Sequence, residues 1–346
     1  MPTGKKALIF NPYWDTLGGG EKYTGTFARM LLDSGWSVDI LWPEDFSARL
    51  VSRFGLDLTG VNWLNKKYSP AMSLGYQLVF WVSDGSLPVS FSPQTLIHLQ
   101  FPFKDVNGRS QINKLKSRFY KFIVNSKFTK THIDAEFGVN STVVYPPIET
   151  AVFSSGRKEK MLLYVGRFSH LTQAKGQQVL IDAFRQITSQ LPGWRLVLAG
   201  GVSVGVDPAA IRHFRDQTAG LPIKIMTDIP YSQIVGLYSR ARIFWSASGF
   251  GFDPDQDPTR VEHFGMSVVE AMASGCIPVI TNLGGHREIV DDGVNGFLWD
   301  NPDQLQQITL NLIKNADLTV ISKKARQKSK IFDVSQFNLA FSRIIS

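Results

Sequence analysis

Apolar runs of four or five residues recur along this chain, each followed by a longer stretch of helical periodicity, and the alternation stops once and then restarts. The first series of runs is Ala7–Phe10, Val38–Leu41, Leu78–Val82, Leu96–Leu99, Phe122–Asn125 and Thr142–Tyr145. Helical patterns such as Glu21–Asp33 and Lys127–Phe137 lie between them. Runs that short and that apolar fit strands covered on both faces, and strands alternating with helices predict a parallel sheet. The interruption reads YPPIETAVFSSGRKEK, where paired prolines, small polar residues and clustered charge predict a linker over Pro146–Lys160.

After the linker the pattern resumes. Strands are predicted at Met161–Val165, Arg195–Ala199, Ile223–Met226, Ile243–Ser246 and Ile277–Thr281. Helices are predicted at Gly176–Gln190, Pro208–Thr218, Tyr231–Arg240, Ser267–Ser274 and Pro302–Lys314. A chain of 346 residues has room for two such cores. The expectation is therefore an α/β protein of two doubly wound domains, residues 1–150 and 151–334, with no sequence repeat between them. In the final segment, 335–346, Phe337, Phe341, Ile344 and Ile345 fall at helical spacing. That apolar face predicts a helix packing back toward the first domain. Ligands of open α/β sheets bind beyond the carboxyl ends of the strands, so a cleft between the two sheets is the expected site.

Composition removes several classes. No run approaches the ~18 apolar residues of a membrane span, and the apolar stretch after Lys5-Lys6 is too short for a signal peptide. A cytoplasmic protein is expected. Cys276 is the single cysteine, which excludes an intrachain disulfide and a cysteine-based metal cluster, and its place in CIPVI predicts a buried thiol. The net charge of +8 is concentrated between Lys104 and Lys130, where eight basic residues face one acid, Asp105. Ile112, Leu115 and Phe119 fall there at helical spacing among lysines and an arginine. Such a helix can be a solvated face or can lie peripherally on an anionic membrane. No reader motif accompanies the charge, so nucleic acid is not an expected partner.

The densest motif is VEHFGMSVVEAMASGCIPVITNLGGHREIVDDGVNGFLW, residues 261–299. Gly265 and Met266 lead into a helix, whose first amide groups and dipole favour an anion such as a diphosphate. Glu270, one turn in, can accept from two vicinal hydroxyls at once, as on a ribose. Ser267-Val-Val-Glu270 also reads as a capping box, which would occupy that carboxylate structurally. Glu262 stands before the helix, eight positions ahead of Glu270.

A second motif, YVGRFSHLTQAKGQQVLIDAF, puts Gly166 and Arg167 at a strand end and Lys175 on the way into the next helix. Two exposed basic residues near a turn would look the same in isolation. In the first half, Gly18-Gly19-Gly20-Glu21 opens the first helix but lacks the GxGxxG spacing, because Tyr23 stands where the last glycine belongs. His98 closes the apolar run TLIHL, and either a structural histidine or a ligand contact suits it. Asp253, Asp255 and Asp257 begin like a calcium loop, but Pro258 and Phe264 occupy the positions that need Gly and Glu. No metal site is expected, and the loop reads as a wall of the pocket.

Paired glutamates spaced E-x7-E, the turn ASG, the strand IPVI, a Gly-Gly pair and the ending NGFLW resemble the donor-site signature of the retaining glycosyltransferase family 4, glycosyl transferases group 1. The first half is similar in layout, in its Gly loop and in FIVNSKFTKTHI…VVYPPIE. The resemblance implies the GT-B fold, two Rossmann-like domains facing across a cleft. It implies transfer of a sugar from a nucleoside diphosphate sugar to an acceptor hydroxyl on a glycan, a lipid-linked glycan or a small molecule, with retention and with no cofactor or metal. It assigns catalytic roles to Glu262, Arg167, Lys175 and His98. Donor contacts fall to Gly19, Gly20, Gly166, Phe264, Gly265, Met266, Ser267 and Glu270, with Glu262 on the sugar and Glu270 on the ribose. The variant Glu262-His263-Phe264-Gly265 is similar to mannosyltransferases of lipid-linked oligosaccharides, which ranks GDP-mannose ahead of UDP-sugars. A sugar-nucleotide epimerase on the same fold and a silent nucleotide-sugar-binding protein are the alternatives.

Overall fold

The computed structural model describes residues 4–168, 175–202, 208–315 and 317–346. The chain divides into two compact units, Met1–Pro147 with Val334–Ser346, and Ile148–Asp333.

Unit 1 holds seven parallel strands: β1 (Lys6–Phe10), β2 (Ser37–Leu41), β3 (Asn62–Leu64), β4 (Leu78–Val82), β5 (Gln94–Leu99), β6 (Lys121–Val124) and β7 (Thr142–Val143). Their order in the sheet is β3-β2-β1-β4-β5-β6-β7, so the winding reverses between β1 and β4. Helices α1 (Gly19–Asp33), α2 (Ser47–Phe54), α3 (Gln111–Ser117) and α4 (Lys127–Phe137) connect them. In β1, Ala7, Leu8 and Ile9 are all fully buried, which is why the run is continuously apolar rather than alternating.

Unit 2 holds β8 (Met161–Val165), β9 (Arg195–Gly200), β10 (Ile223–Thr227), β11 (Ile243–Ser246), β12 (Ile277–Thr281) and β13 (Phe297–Trp299). All are parallel, in the order β10-β9-β8-β11-β12-β13, with the reversal between β8 and β11. The helices are α5 (Gln177–Ile187), α6 (Pro208–Gln217), α7 (Tyr231–Arg240), α8 (Met266–Ala273), the short α9 (His286–Ile289), α10 (Pro302–Asn315) and α11 (Leu318–Ser329). The start and end of this unit are stitched together: Ile148 N donates to Phe332 O at 3.1 Å, and Thr150 bonds the carboxylate of Asp333. Residues after Pro147 thus already belong to unit 2, and the passage between units is narrower than the linker read from the sequence.

The last helix, α12 (Val334–Ile345), returns to unit 1. Phe337 and Phe341 enter a cluster with Tyr23, Phe27 and Phe80, with the Phe27 and Phe341 ring centroids 4.4 Å apart. Both rings are almost completely buried, worth about 2–3 kcal/mol each against exposure. Strands β3 and β13 and helices α2, α9 and α11 are absent from the sequence reading. β3 and β13 have three residues each, too few for a period to show, and α11 is largely polar. Among the described residues no helix is long and apolar enough to cross a membrane.

Candidate functional site

In unit 2 the loops that follow β8 and β11 leave neighbouring strands on either side of the winding reversal. That is where an open α/β sheet offers a crevice at its carboxyl edge. Gly166 and Arg167 follow β8, and Glu262 lies on the long connection from β11 to α8. Lys175, just ahead of α5, places its Nζ 2.8 Å from Glu262 Oε2. Their side chains are only 14% and 13% exposed, so the pair works in a weakened dielectric. Burial, the largest single influence, raises the Glu262 pKa, but the charge and hydrogen bond of Lys175, with His286 and His263, together outweigh it and hold the carboxyl at about 2. Glu262 is ionised at neutral pH and its charge is cancelled by Lys175. The Arg167 guanidinium has no acidic partner among the described residues and supplies the net positive charge. The buried phenol of Tyr164, on β8, feels both Glu262 and Arg167, which places the two charges in one neighbourhood. The stretch between Phe168 and Lys175 lies outside the described residues.

Backbone geometry fixes Glu262. Gly284 and Gly285 lie directly beneath its loop. A Cβ on Gly284 would come within 2.3 Å of Glu262 O, and one on Gly285 within 2.4 Å of His263 O. Gly285 N donates to Glu262 O at 2.8 Å. The Gly-Gly pair is therefore a seat for the loop, which only glycine permits.

Helix α8 starts at Met266, and its N-cap is Gly265 with φ of 115°, a conformation that favours glycine. Gly265 has no side chain to cap the first amides, and with the Val268 and Val269 amides bonded to Gly265 O, those of Met266 and Ser267 and the dipole of the first turn are left to face an anion. Ser267 then lies inside the helix, not at its cap, and the capping box anticipated for Ser267 and Glu270 does not form. Glu270 Oε2 instead accepts from the phenol of Tyr238 on α7 at 3.0 Å. The Phe264 ring is buried edge-on against Phe332 at 5.2 Å, so only its backbone can serve a ligand. Met266 and Ser267 are partly exposed at the helix start.

His286 is a site residue the sequence reading missed. It is fully buried at the start of α9. Its Nδ1 lies 3.1 Å from Thr281 O and 2.9 Å from Thr281 Oγ1, whose own hydrogen is given to Ser248 O. Both partners accept, so Nδ1 carries the proton and Nε2 is a bare acceptor with no hydrogen-bond partner among the described residues. Burial lowers its pKa to about 4, so the ring is neutral at physiological pH. It backs the Gly265 turn: a Cβ on Gly265 would meet His286 Cδ2 at 3.1 Å. The tripeptide Gly284-Gly285-His286 was the available signal.

The remaining predicted residues lie in unit 1. Gly19 and Gly20 form the first turn of α1 rather than a loop. A Cβ on Gly20 would strike the Gln100 side chain, just past β5, at 2.1 Å. Glu21 Oε2 accepts from Gly18 N at 2.7 Å and closes the helix start. His98 is fully buried on β5, stacked on Tyr23 with centroids 4.1 Å apart and beside Phe80. Burial lowers its pKa to about 3, opposed in part by the Ile123 backbone, and among the described residues neither ring nitrogen has a hydrogen-bond partner of normal geometry. The structure thus gathers Gly166, Arg167, Lys175, Glu262, Gly265, Met266, Ser267 and Glu270 at one edge of unit 2, and seats His98 in the aromatic core of unit 1.

Asp253 spends its carboxylate on its own loop, accepting from Asp255 N at 2.8 Å. Among the described residues no group of three or more potential ligands gathers around a cation position. Cys276 is buried, as its apolar run predicts, with its thiol facing Tyr238 O at 3.1 Å.

A cationic pocket at the carboxyl edge of a doubly wound sheet is the geometry of a site for an anionic ligand, and comparison with known proteins gives the family. The profile of the glycosyl transferases group 1 family matches residues 148–328, and the chain belongs to that family. The GDP-Man:Man(3)GlcNAc(2)-PP-Dol alpha-1,2-mannosyltransferase of Dictyostelium discoideum is 27% identical over 258 residues, covering 68% of this chain and 49% of that protein. The D-inositol 3-phosphate glycosyltransferase of Mycolicibacterium smegmatis is 29% identical over 177 residues, 46% of this chain and 36% of that protein. The chain spans about half the length of the curated relatives it matches. Among solved structures, Anabaena HepE in complex with UDP and glucose superposes with a TM-score of 0.77 at 21% identity, covering 99% of each chain. Sucrose-phosphate synthase of Thermosynechococcus elongatus gives 0.72 at 17% identity, covering 98% of each. The fold is therefore GT-B.

Proposed function

We propose that this protein transfers a hexose from a nucleoside diphosphate sugar to an acceptor hydroxyl, with retention at the anomeric carbon and GDP-mannose as preferred donor. The observation that carries the reading is the buried Lys175–Glu262 pair beside Arg167, on the two loops at the winding reversal of unit 2. In this reading the donor diphosphate lies at the start of α8, Glu270 holds the ribose and Glu262 takes hydroxyls of the sugar. The bond from the anomeric carbon to phosphate oxygen breaks as the bond to the acceptor oxygen forms on the same face. The acceptor proton passes to the leaving phosphate. Arg167, Lys175 and the α8 amides stabilise the charge that grows there, without a metal ion. The acceptor is a glycan, a lipid-linked glycan or a small molecule. The choice of GDP-mannose is supported by the donor named for the Dictyostelium and human relatives.

The test is a thermal-shift series with GDP, UDP and ADP and their sugars, followed by transfer assays with the donor that binds. Stabilisation by GDP-mannose above the others is expected, since a ligand at a hundred times its Kd adds about 2.7 kcal/mol. Stabilisation by no nucleotide would overturn the reading. Release of an epimer with no acceptor present would replace it with the epimerase.

A further inference from the structure

We propose that the edge of unit 1 where β4, β5 and β6 begin is a docking surface for an anionic lipid bilayer. It is independent of the donor chemistry of unit 2. These three strands are adjacent and parallel, so the segments entering them emerge along one edge, opposite the strands' carboxyl ends. Leu74 precedes β4, Val89 and Phe91 precede β5, and Phe119 precedes β6. Ile112 and Leu115 sit on α3, which leads to Phe119. These six account for half of the large apolar side chains exposed among the described residues, with Leu74 and Ile112 each 69% and Phe119 74% exposed. Isolated exposed hydrophobics are ordinary, but a concentration in connected segments is not.

The segments are tied together. Lys116 Nζ donates to Leu87 O at 2.7 Å, Tyr120 OH to Pro88 O at 3.0 Å, and Phe91 N to Ser73 Oγ at 2.8 Å. Beside them opens a cavity of about 810 Å³ lined by Arg109, Lys114, Arg118 and Lys121, with no acid in its wall. Arg109 and Lys121 donate to neutral carbonyls, those of Ala135 and Ile344, which leave their charge uncancelled. Lys114 and Arg118 form no ion pair among the described residues. The cations lie on and beside α3, interleaved in the chain with Ile112, Leu115 and Phe119, the arrangement that suits a bilayer interface: the apolar groups enter the acyl boundary and the cations meet lipid phosphates. Four of these six apolar side chains are aliphatic and offer no ring for base stacking, so single-stranded nucleic acid fits less well.

The test is co-sedimentation of the full chain with vesicles of phosphatidylcholine alone and of phosphatidylcholine with phosphatidylglycerol. The protein is expected to pellet with the anionic vesicles only, and less so as salt is raised. A bilayer contact is worth about fivefold per basic residue, so Lys114→Gln with Arg118→Gln should weaken it about twenty-five-fold. Ile112→Ser with Phe119→Ser should weaken it as well. Circular dichroism and nucleotide-induced thermal shift of both variants should match the parent, which separates this surface from the donor site. Protein that stays in the supernatant with anionic vesicles, or variants that bind as tightly as the parent, would overturn the proposal.

Discussion

The phenol of Tyr238 donates to Glu270 across 3.0 Å, joining helix α7 to the carboxylate proposed to hold the donor ribose. Tyr238 itself is fully buried, so the carboxylate is aimed by a rigid partner. Tyr238→Phe keeps the packing and deletes the bond. A hydrogen bond to a charged group is worth about 1.5–3 kcal/mol, so nucleoside diphosphate should bind about tenfold or more weaker. Calorimetric titration with GDP and with inorganic pyrophosphate checks this: pyrophosphate lacks a ribose and should bind the variant and the parent alike. Equal losses for both ligands would argue that Tyr238 only supports the fold.

Removing Glu262 or Arg167 should leave unit 2 folded and cut turnover about a hundredfold or more, the scale of losing a group that stabilises developing charge. Steady-state transfer rates for Glu262→Ala and Arg167→Ala, beside circular dichroism of each, decide the matter. Parental turnover in either variant removes that residue from the mechanism.

Lys175→Met should destabilise unit 2 in a pH-dependent way. The folded pKa of Glu262, about 2, lies below its ordinary 4.5, so the pair's contribution is fully present above pH 4.5 and fades as pH falls toward 2. At neutral pH the loss should be on the order of 3 kcal/mol, from a shift of that size. Melting curves of the two proteins should therefore converge on acidification. Curves that stay parallel would mean that Lys175 contributes packing and not charge.

His98→Phe separates the two roles open to that histidine. With only the Ile123 backbone near its nitrogens and neither nitrogen in a hydrogen bond of normal geometry among the described residues, a phenyl ring in this aromatic cluster should be neutral or stabilising at pH 7. Its folded pKa of about 3 and that of His286, about 4, lie below the ordinary 6.5. Each therefore withdraws stability as pH falls below 6.5, at about 1.4 kcal/mol per pH unit for each ring. Chemical denaturation between pH 7 and 4 should show a shallower decline for His98→Phe. Loss of sugar transfer in a well-folded His98→Phe would instead return the residue to the catalytic set.

Phe341→Ala should cost about 3–5 kcal/mol, the range for deleting a buried aromatic ring. Urea unfolding measures it, and a loss below 1 kcal/mol would mean that α12 adds little to the unit 1 core.

The two sheets were legible because buried parallel strands write themselves as apolar runs: β4, β8, β11 and β12 coincide with theirs. The site was legible where chemistry and backbone share a motif, as in Glu262 with Gly265 and Gly284-Gly285. It was illegible where packing between helices decides. Nothing in the sequence pairs Tyr238 with Glu270, since α7 and α8 meet only in the fold. Of the two readings open for Glu270, the Ser267 cap does not form, because Gly265, at a positive φ, is the N-cap and the helix starts two residues sooner than the Ser-x-x-Glu pattern implies. The neutral state of His286 follows from burial, and its tautomer from two acceptors on Thr281, neither of which has a local signature.

Because α12 completes the cluster around Tyr23 and Phe27, unit 1 is built from two separate segments, one up to Pro147 and one from Val334 on, while unit 2 is one uninterrupted stretch. During synthesis, the stretch from Ile148 to Asp333 leaves the ribosome whole before the residues that cover Phe27 have emerged. The nascent first unit must keep that greasy face shielded, by chaperone or by transient collapse, until Val334–Ser346 has followed.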